Sequence, residues 1–122
     1  LDFYCRMLGF AIVYERPEEK FAFLEREGVQ IMIEQPTVAG RTWLGGALEK
    51  PFGRGINLQM QVSDIDTLYA AIKKNALNIF LPLEEKWYRQ GDREIGNRQC
   101  VIQDPDGYLL RFSQNLGNRP LL

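Results

Sequence analysis

Residues 56–72 read Ile56-Asn57-Leu58-Gln59-Met60-Gln61-Val62-Ser63-Asp64-Ile65-Asp66-Thr67-Leu68-Tyr69-Ala70-Ala71-Ile72. From Ile56 to Val62 apolar residues alternate with amides, the period of a strand with one face on a core. From Ile65 onward, Ile65, Leu68, Tyr69 and Ile72 recur at the spacing of one helix face. The change of period falls at Ser63, which is expected to N-cap the helix, with Asp66 at the capping-box spacing in place of glutamate. Asn75 is the expected end.

Outward from this strand–helix unit the pattern continues. Ile79 to Leu83 reads as a strand. Glu84 to Asn97 is polar, has glycines at 91 and 96, and is expected to form the solvated tip of a long hairpin. Gln99 to Gln103 and Tyr108 to Ser113 are strands joined by the turn Asp104-Pro105-Asp106-Gly107, proline second and glycine last. Toward the N-terminus, residues 37–55 hold Gly40, Gly45, Gly46, Pro51, Gly53 and Gly55 and read as a long connecting loop. Before it lie strands Val29 to Glu34, Phe21 to Glu25 and Phe10 to Tyr14. Leu1, Tyr4, Cys5 and Leu8 form a helical stripe stopped by Gly9. The order is helix, three strands, linker, then strand, helix, three strands. This is an internal repeat of a βαβββ unit, and it changes the fold that should be expected.

The expected class is α+β: one domain over 1–122, with module 1 at about 1–36, a linker at about 37–55 and module 2 at about 56–115. Module 1 lacks a first strand within this chain. Since a fold without it would expose a strand edge, that strand is expected upstream.

The chain has 122 residues, 45% hydrophobic and 25% charged, and a net charge of -1. It shows no basic footprint for nucleic acid or an anionic membrane, and no apolar run of spanning length. Cys5 and Cys100 do not make a disulfide framework and are expected to be reduced, buried thiols of a cytoplasmic protein. There is no histidine. That removes the commonest transition-metal ligand and the commonest neutral-pH base, and with them any Ser-His or Cys-His nucleophile system in this chain. Gly53-Arg54-Gly55 is not a phosphate loop, for no Lys-Ser/Thr follows it.

Three segments together resemble the glyoxalase/bleomycin resistance group of the vicinal oxygen chelate superfamily. They are Phe3-Tyr4-Cys5-Arg6-Met7-Leu8-Gly9-Phe10, Gln61-Val62-Ser63-Asp64-Ile65-Asp66 and Asp104-Pro105-Asp106-Gly107-Tyr108-Leu109-Leu110-Arg111-Phe112. The resemblance implies two βαβββ modules of curled mixed sheet around a ligand cup, and a homodimer. Metal-dependent members of the group place His, Gln or Glu at cup-facing positions on the first and last strands of each module. Here the matching positions are Asn57, Arg111 and Glu34. Asparagine is a poor ligand and a guanidinium cannot coordinate. The resemblance therefore leans toward the metal-free, bleomycin-resistance-like members, with no metal and no cofactor.

Leu110 and Phe112 face the core, so Arg111 between them points the other way. The register of the resemblance implies that it is turned to the cup, standing where the cation stood and paired with Glu34. The alternative makes Arg111 a solvent-facing residue of an edge strand. Asn57, Gln59 and Gln61 share one strand face and are expected to line the cup, unless that face is simply solvated. Trp43, Phe52, Trp87 and Tyr88 are aromatics in polar surroundings, suited either to stacking on a ligand or to anchoring loops and dimer contacts. The expected function is a metal-independent small-molecule binding protein, sequestering a polar, partly aromatic ligand in a dimeric cup. The ligand-binding residues are Glu34, Asn57, Gln59, Gln61, Arg111, Trp43, Trp87 and Tyr88, with no catalytic residue and no nucleic-acid or membrane partner. The alternative is a metal-dependent enzyme of the superfamily, a lyase, dioxygenase or thiol transferase. A third reading is a structural or regulatory dimer with a vestigial cup.

Overall fold

The computed structural model describes residues 1–36 and 47–121. The chain divides into two compact units, Leu1–Lys50 and Pro51–Leu122. The fold is mixed α+β, with one open sheet in each unit.

In the N-terminal unit a six-residue π-helical turn, Asp2–Met7, precedes strands β1 (Ala11–Arg16), β2 (Phe21–Arg26) and β3 (Val29–Glu34). The strands are antiparallel in the order β1-β2-β3. Gly9 ends the turn at φ +81°, its N–H donating to Cys5 O, as a C-terminal stop requires. Leu8, Phe10, Phe21, Ala22 and Leu24 are buried. Arg26 Nε donates to the carbonyl of Leu8 at 2.9 Å and ties strand to turn. Tyr14 stacks on Phe23 with ring centroids 5.2 Å apart.

In the C-terminal unit β4 (Asn57–Gln61) leads to helix α1 (Ile65–Lys74), then to β5 (Asn78–Gln90), β6 (Arg93–Gln103) and β7 (Leu109–Pro120). The sheet order is β4-β7-β6-β5, with β4 parallel to β7 and the other pairs antiparallel. The repeat is therefore real: β1–β3 correspond to β5–β7, and the π-helical turn takes the place of α1. A counterpart of β4 is absent from the three-stranded sheet among the described residues.

The core of this unit is a two-layer contact. Ile65, Leu68 and Ile72 form the apolar face of α1 and are buried. Met60, Cys100, Ile102, Leu110 and Phe112 are buried at alternate positions of the strands beneath it. Burying side chains of this size stabilises by roughly 1.5–3 kcal/mol each.

Two local expectations change. The helix cap is Asp64, not Ser63: its carboxylate accepts from Thr67 N at 3.2 Å and Thr67 Oγ1 at 2.6 Å. Val62 N still donates to Ser113 O, so the ladder runs one residue past β4 and the helix starts later. Asp66 turns away from the cap to Arg98, at 2.7 Å. The polar segment 84–97 is the outer part of a long hairpin, as expected, but is strand for most of its length: β5 and β6 pair from Asn78–Gln103 to Gln90–Arg93 around Gly91. Gly96 makes no bend there. It lies beneath Trp87, whose ring atoms stand 2.7 Å from where a Cβ would be. Pro82 is tolerated because β5 is an outer strand with register shifts on either side of Leu81.

Candidate functional site

Strand parity divides the side chains of the C-terminal sheet. Leu110 and Phe112 go to the α1 side, so Arg111 and Ser113 face the opposite way. Register then sets Gln59 beside Arg111, and Ser113 between Gln61 and Gln99. This face floors a cavity of about 400 Å³. Gln59 and Gln61 of β4 line it, with Arg111, Ser113 and Asn115 of β7. The outer pair contributes Tyr88, Arg89 and Gln90 from β5, and Ile95 and Asn97 from β6.

Gln99 is the hinge of the polar network. It is 2% exposed, yet its amide is fully engaged. Its Nε2 donates to Glu84 Oε1 at 3.0 Å and to Tyr88 OH at 2.7 Å. Its Oε1 accepts from Arg111 Nε at 3.0 Å and from Arg111 Nη2. Arg111 Nη1 donates to Gln59 Oε1 at 3.3 Å. The guanidinium carbon lies 5.5 Å from the Tyr88 ring centroid. A buried amide with both donors and both lone pairs used fixes its neighbours' orientation as well as its own. The buried Ser113 hydroxyl, also in the lining, donates to Asn97 Oδ1 at 2.9 Å, so Asn97 meets it through its oxygen.

Four of the expected site residues, Gln59, Gln61, Arg111 and Tyr88, come together here. Asn57 does not line the cavity. It shares the face but pairs with Leu109, one row too far toward the start of β4, while the cavity extends toward the β5–β6 turn. Trp87 lies on the other face, its ring covered by Arg119 at 3.9 Å. Phe52 packs edge-on against Tyr108 at 6.0 Å, an anchoring contact. Trp43 falls outside the described residues. Glu34 is exposed on β3 of the N-terminal unit, and the hydrogen bonds described for Arg111 are met by Gln99 and Gln59.

The residues that sequence reading missed are Gln99, Ser113, Asn97, Asn115, Ile95, Arg89 and Gln90. The parity of β7 points to Ser113 once Arg111 is turned to the cup. Gln99 was hidden by its place in an apolar strand, between Arg98 and Cys100. Asn97, Ile95, Arg89 and Gln90 were hidden by the solvated-hairpin reading of 84–97, and Asn115 by the expected end of the last strand at Ser113; that strand in fact runs to Pro120. Cys100 is buried as expected, and burial pushes its thiol up from 9.0 to about 11, so it is an inert thiol. Cys5 is half-buried, more open than expected.

A divalent metal, which the metal-dependent relatives implied by the sequence place in such a cup, does not fit these residues. Among the described residues no group of three or more His, Cys, Asp or Glu could hold one. The guanidinium of Arg111 offers no lone pair and repels a cation. No helix is long and apolar enough to cross a membrane among the described residues.

Comparison with known proteins agrees with this fold. Residues 1–112 match the family model described as Glyoxalase/Bleomycin resistance protein/Dioxygenase superfamily. No curated protein sequence matches the chain. A glyoxalase/bleomycin resistance protein/dioxygenase superfamily member from Vibrio splendidus 12B01 is 38% identical, over 94% of this chain and 86% of that one, with a TM-score of 0.49. TioX from Micromonospora sp. ML1 is 23% identical over 94% of this chain and 86% of its own, with a TM-score of 0.67. A glyoxalase/bleomycin resistance protein/dioxygenase from Alicyclobacillus acidocaldarius is 19% identical over 94% and 80% of the two chains, with a TM-score of 0.60. The last two share the fold. The family model, which spans residues 1–112, carries the kinship: the chain belongs to the glyoxalase/bleomycin resistance protein/dioxygenase superfamily.

Proposed function

We propose that this chain binds a polar, partly aromatic small molecule in the cavity of its C-terminal unit, without a metal and without turning it over. One observation carries the reading. The cavity is built from amides, hydroxyls and guanidinium groups, with Arg111 held in place by Gln99 and Gln59. Such groups bind and orient through hydrogen bonds. No imidazole, thiol or carboxylate is among the lining residues to act as base, nucleophile or metal ligand. Tyr88 supplies a flat ring for the aromatic part of the ligand.

The working form is a cytoplasmic homodimer. The outer strands of both sheets (β1, β3, β4 and β5) offer pairing groups, and Met32 and Phe80 are exposed apolar side chains on two of them. Light scattering tests this: a dimer is expected at micromolar concentration, and a monomer overturns it.

The ligand reading is tested by a thermal-shift screen of chelator-treated protein against divalent metals and small molecules, bleomycin among them. A compound at about 100 times its Kd adds about 2.7 kcal/mol of stability. Stabilisation by an organic compound and not by metals, lost in Arg111→Ala, supports the reading. A large shift from a transition metal alone overturns it in favour of a metal-dependent lyase, dioxygenase or thiol transferase.

A further inference from the structure

Resting on the reading of this cavity as a ligand site, we infer that its ligand carries a carboxylate, received by the outward donors of Arg111 together with the Tyr88 hydroxyl. The first observation is the count of donors. A guanidinium has five N–H groups. Arg111 spends one on each of Nε, Nη2 and Nη1, in bonds to Gln99 and Gln59. Two N–H groups remain, one on each Nη, in the plane of the guanidinium. Paired coplanar donors match the two oxygens of a carboxylate.

The second observation is the direction of the Tyr88 hydroxyl. Its oxygen accepts from Gln99 Nε2 at 2.7 Å. A phenol that accepts keeps its own hydrogen to donate. Tyr88 is beside Arg111, with the guanidinium carbon 5.5 Å from its ring. Gln99 therefore acts as a positioning residue for both donors. One amide accepts from the cation and donates to the phenol, and so sets both to give hydrogen bonds into the same space.

The third observation is charge. The lining contains Arg89 and Arg111 and neither aspartate nor glutamate, although the whole chain has a net charge of -1. The acid nearest the network, Glu84, accepts from Gln99 at 3.0 Å and does not line the cavity. Arg89 bends back to Gly91 O at 3.1 Å, and its charge still stands at the rim. A cavity of this sign favours an anion and disfavours a cationic ligand.

The test uses the full chain, labelled with nitrogen-15, and four small probes: benzoate, the neutral benzamide, the cationic benzamidine and the tetrahedral phenylphosphonate. Benzoate is expected to shift the Arg111 Nε–H signal and the side-chain amide signals of Gln59 and Asn97. Benzamide and benzamidine are expected to bind at least about tenfold more weakly, the worth of one charge-assisted hydrogen bond pair. Arg111→Lys keeps the charge but loses the fork, and is expected to weaken benzoate about tenfold. Tyr88→Phe removes only the hydroxyl and is expected to weaken it several-fold. The contrast between probes on the unaltered chain stands even where a variant fails to fold. Benzamide or benzamidine binding at these residues as well as benzoate overturns the carboxylate and leaves the binding-site reading standing. Phenylphosphonate binding tighter than benzoate also overturns it. No shift at these residues with any probe overturns both.

Discussion

Replacing Gln99 by leucine removes the centre of the polar network while keeping nearly the same volume. The side chain is 2% exposed and makes four hydrogen bonds, two to the Arg111 guanidinium and one each to Glu84 and Tyr88. Neutral bonds contribute about 1 kcal/mol each and bonds to a charged group about 1.5 kcal/mol or more. The full penalty for orphaned groups does not apply, because Arg111 and Tyr88 line an open cavity where water replaces the lost partner. Burying the apolar leucine in place of an amide returns about 2 kcal/mol. The expected net loss is therefore about 2–3 kcal/mol, a fall in melting temperature of roughly 5–10 °C for a chain of this size. Urea unfolding followed by circular dichroism gives the free energy. Nitrogen-15 spectra give the second readout, since the Arg111 Nε–H signal should broaden as its acceptor disappears. Gln99→Glu separates geometry from charge. It keeps an acceptor for Arg111 but sets a second carboxylate against Glu84, so it should destabilise at neutral pH and recover part of the loss in acid. Unchanged stability and an unchanged Arg111 signal in Gln99→Leu refute the idea that this amide holds the site together.

Gly107→Ala is expected to cost about 3 kcal/mol in the same assay, since φ is +101° and the new Cβ would collide with Pro51 Cβ and stand 2.6 Å from Pro51 Cα. Ala76→Gly is expected to stabilise by about 1 kcal/mol, because Ala76 ends α1 in the left-handed region at φ 51°. At Asp64, hydrogen bonds from the Thr67 hydroxyl and backbone hold the carboxyl below its ordinary 3.8. The stabilisation is thus present above pH 3.8 and lost as pH falls below it, so Asp64→Asn should match the parent in acid, and Asp64→Ala should have a lower melting temperature at pH 7. Burial raises Cys100 from 9.0 to about 11, so the neutral thiol is favoured by the fold and the stability it contributes is lost as pH rises from 9 to 11. Under native conditions at pH 8 a thiol reagent should modify Cys5 and spare Cys100 until the chain unfolds.

Much of the fold was legible because it rests on periodicity. The alternation from Ile56 to Val62 and the helical spacing from Ile65 to Ile72 come from one core, and the buried set of Met60, Ile65, Leu68 and Ile72 is that core. The turn at 104–107 was legible because Asp104 and Gly107 have local work: Asp104 Oδ1 accepts from Asp106 N and Tyr108 N, and Gly107 N donates to Asp104 O. The cap was misplaced by one residue because Ser63 and Asp64 are both good caps in isolation. The choice was made by Val62, which stays in the ladder with Ser113. The long hairpin was foreseen, but its share in the cavity was not. Composition suggests solvent, and Glu85, Lys86 and Asp92 are exposed, but the segment pairs in register and Tyr88, Arg89, Gln90 and Asn97 line the cavity. Within the site, Gln59, Gln61 and Arg111 followed from strand parity taken together with the register that the family resemblance implies. Gln99 did not, because which amide Arg111 leans toward is set by a diagonal contact between β6 and β7.

The most direct test of a metal-free ligand site is the side-chain amide spectrum of the chelator-treated chain. One equivalent of manganese(II) is added, and benzoate to a parallel sample. The expected result is no broadening of Gln59, Gln61, Asn97 or Gln99 by the ion and clear shifts of Gln59 and Asn97 with benzoate. Loss of those amide signals on adding manganese(II) would place a metal where Arg111 is argued to stand in for one, and would contradict the proposal.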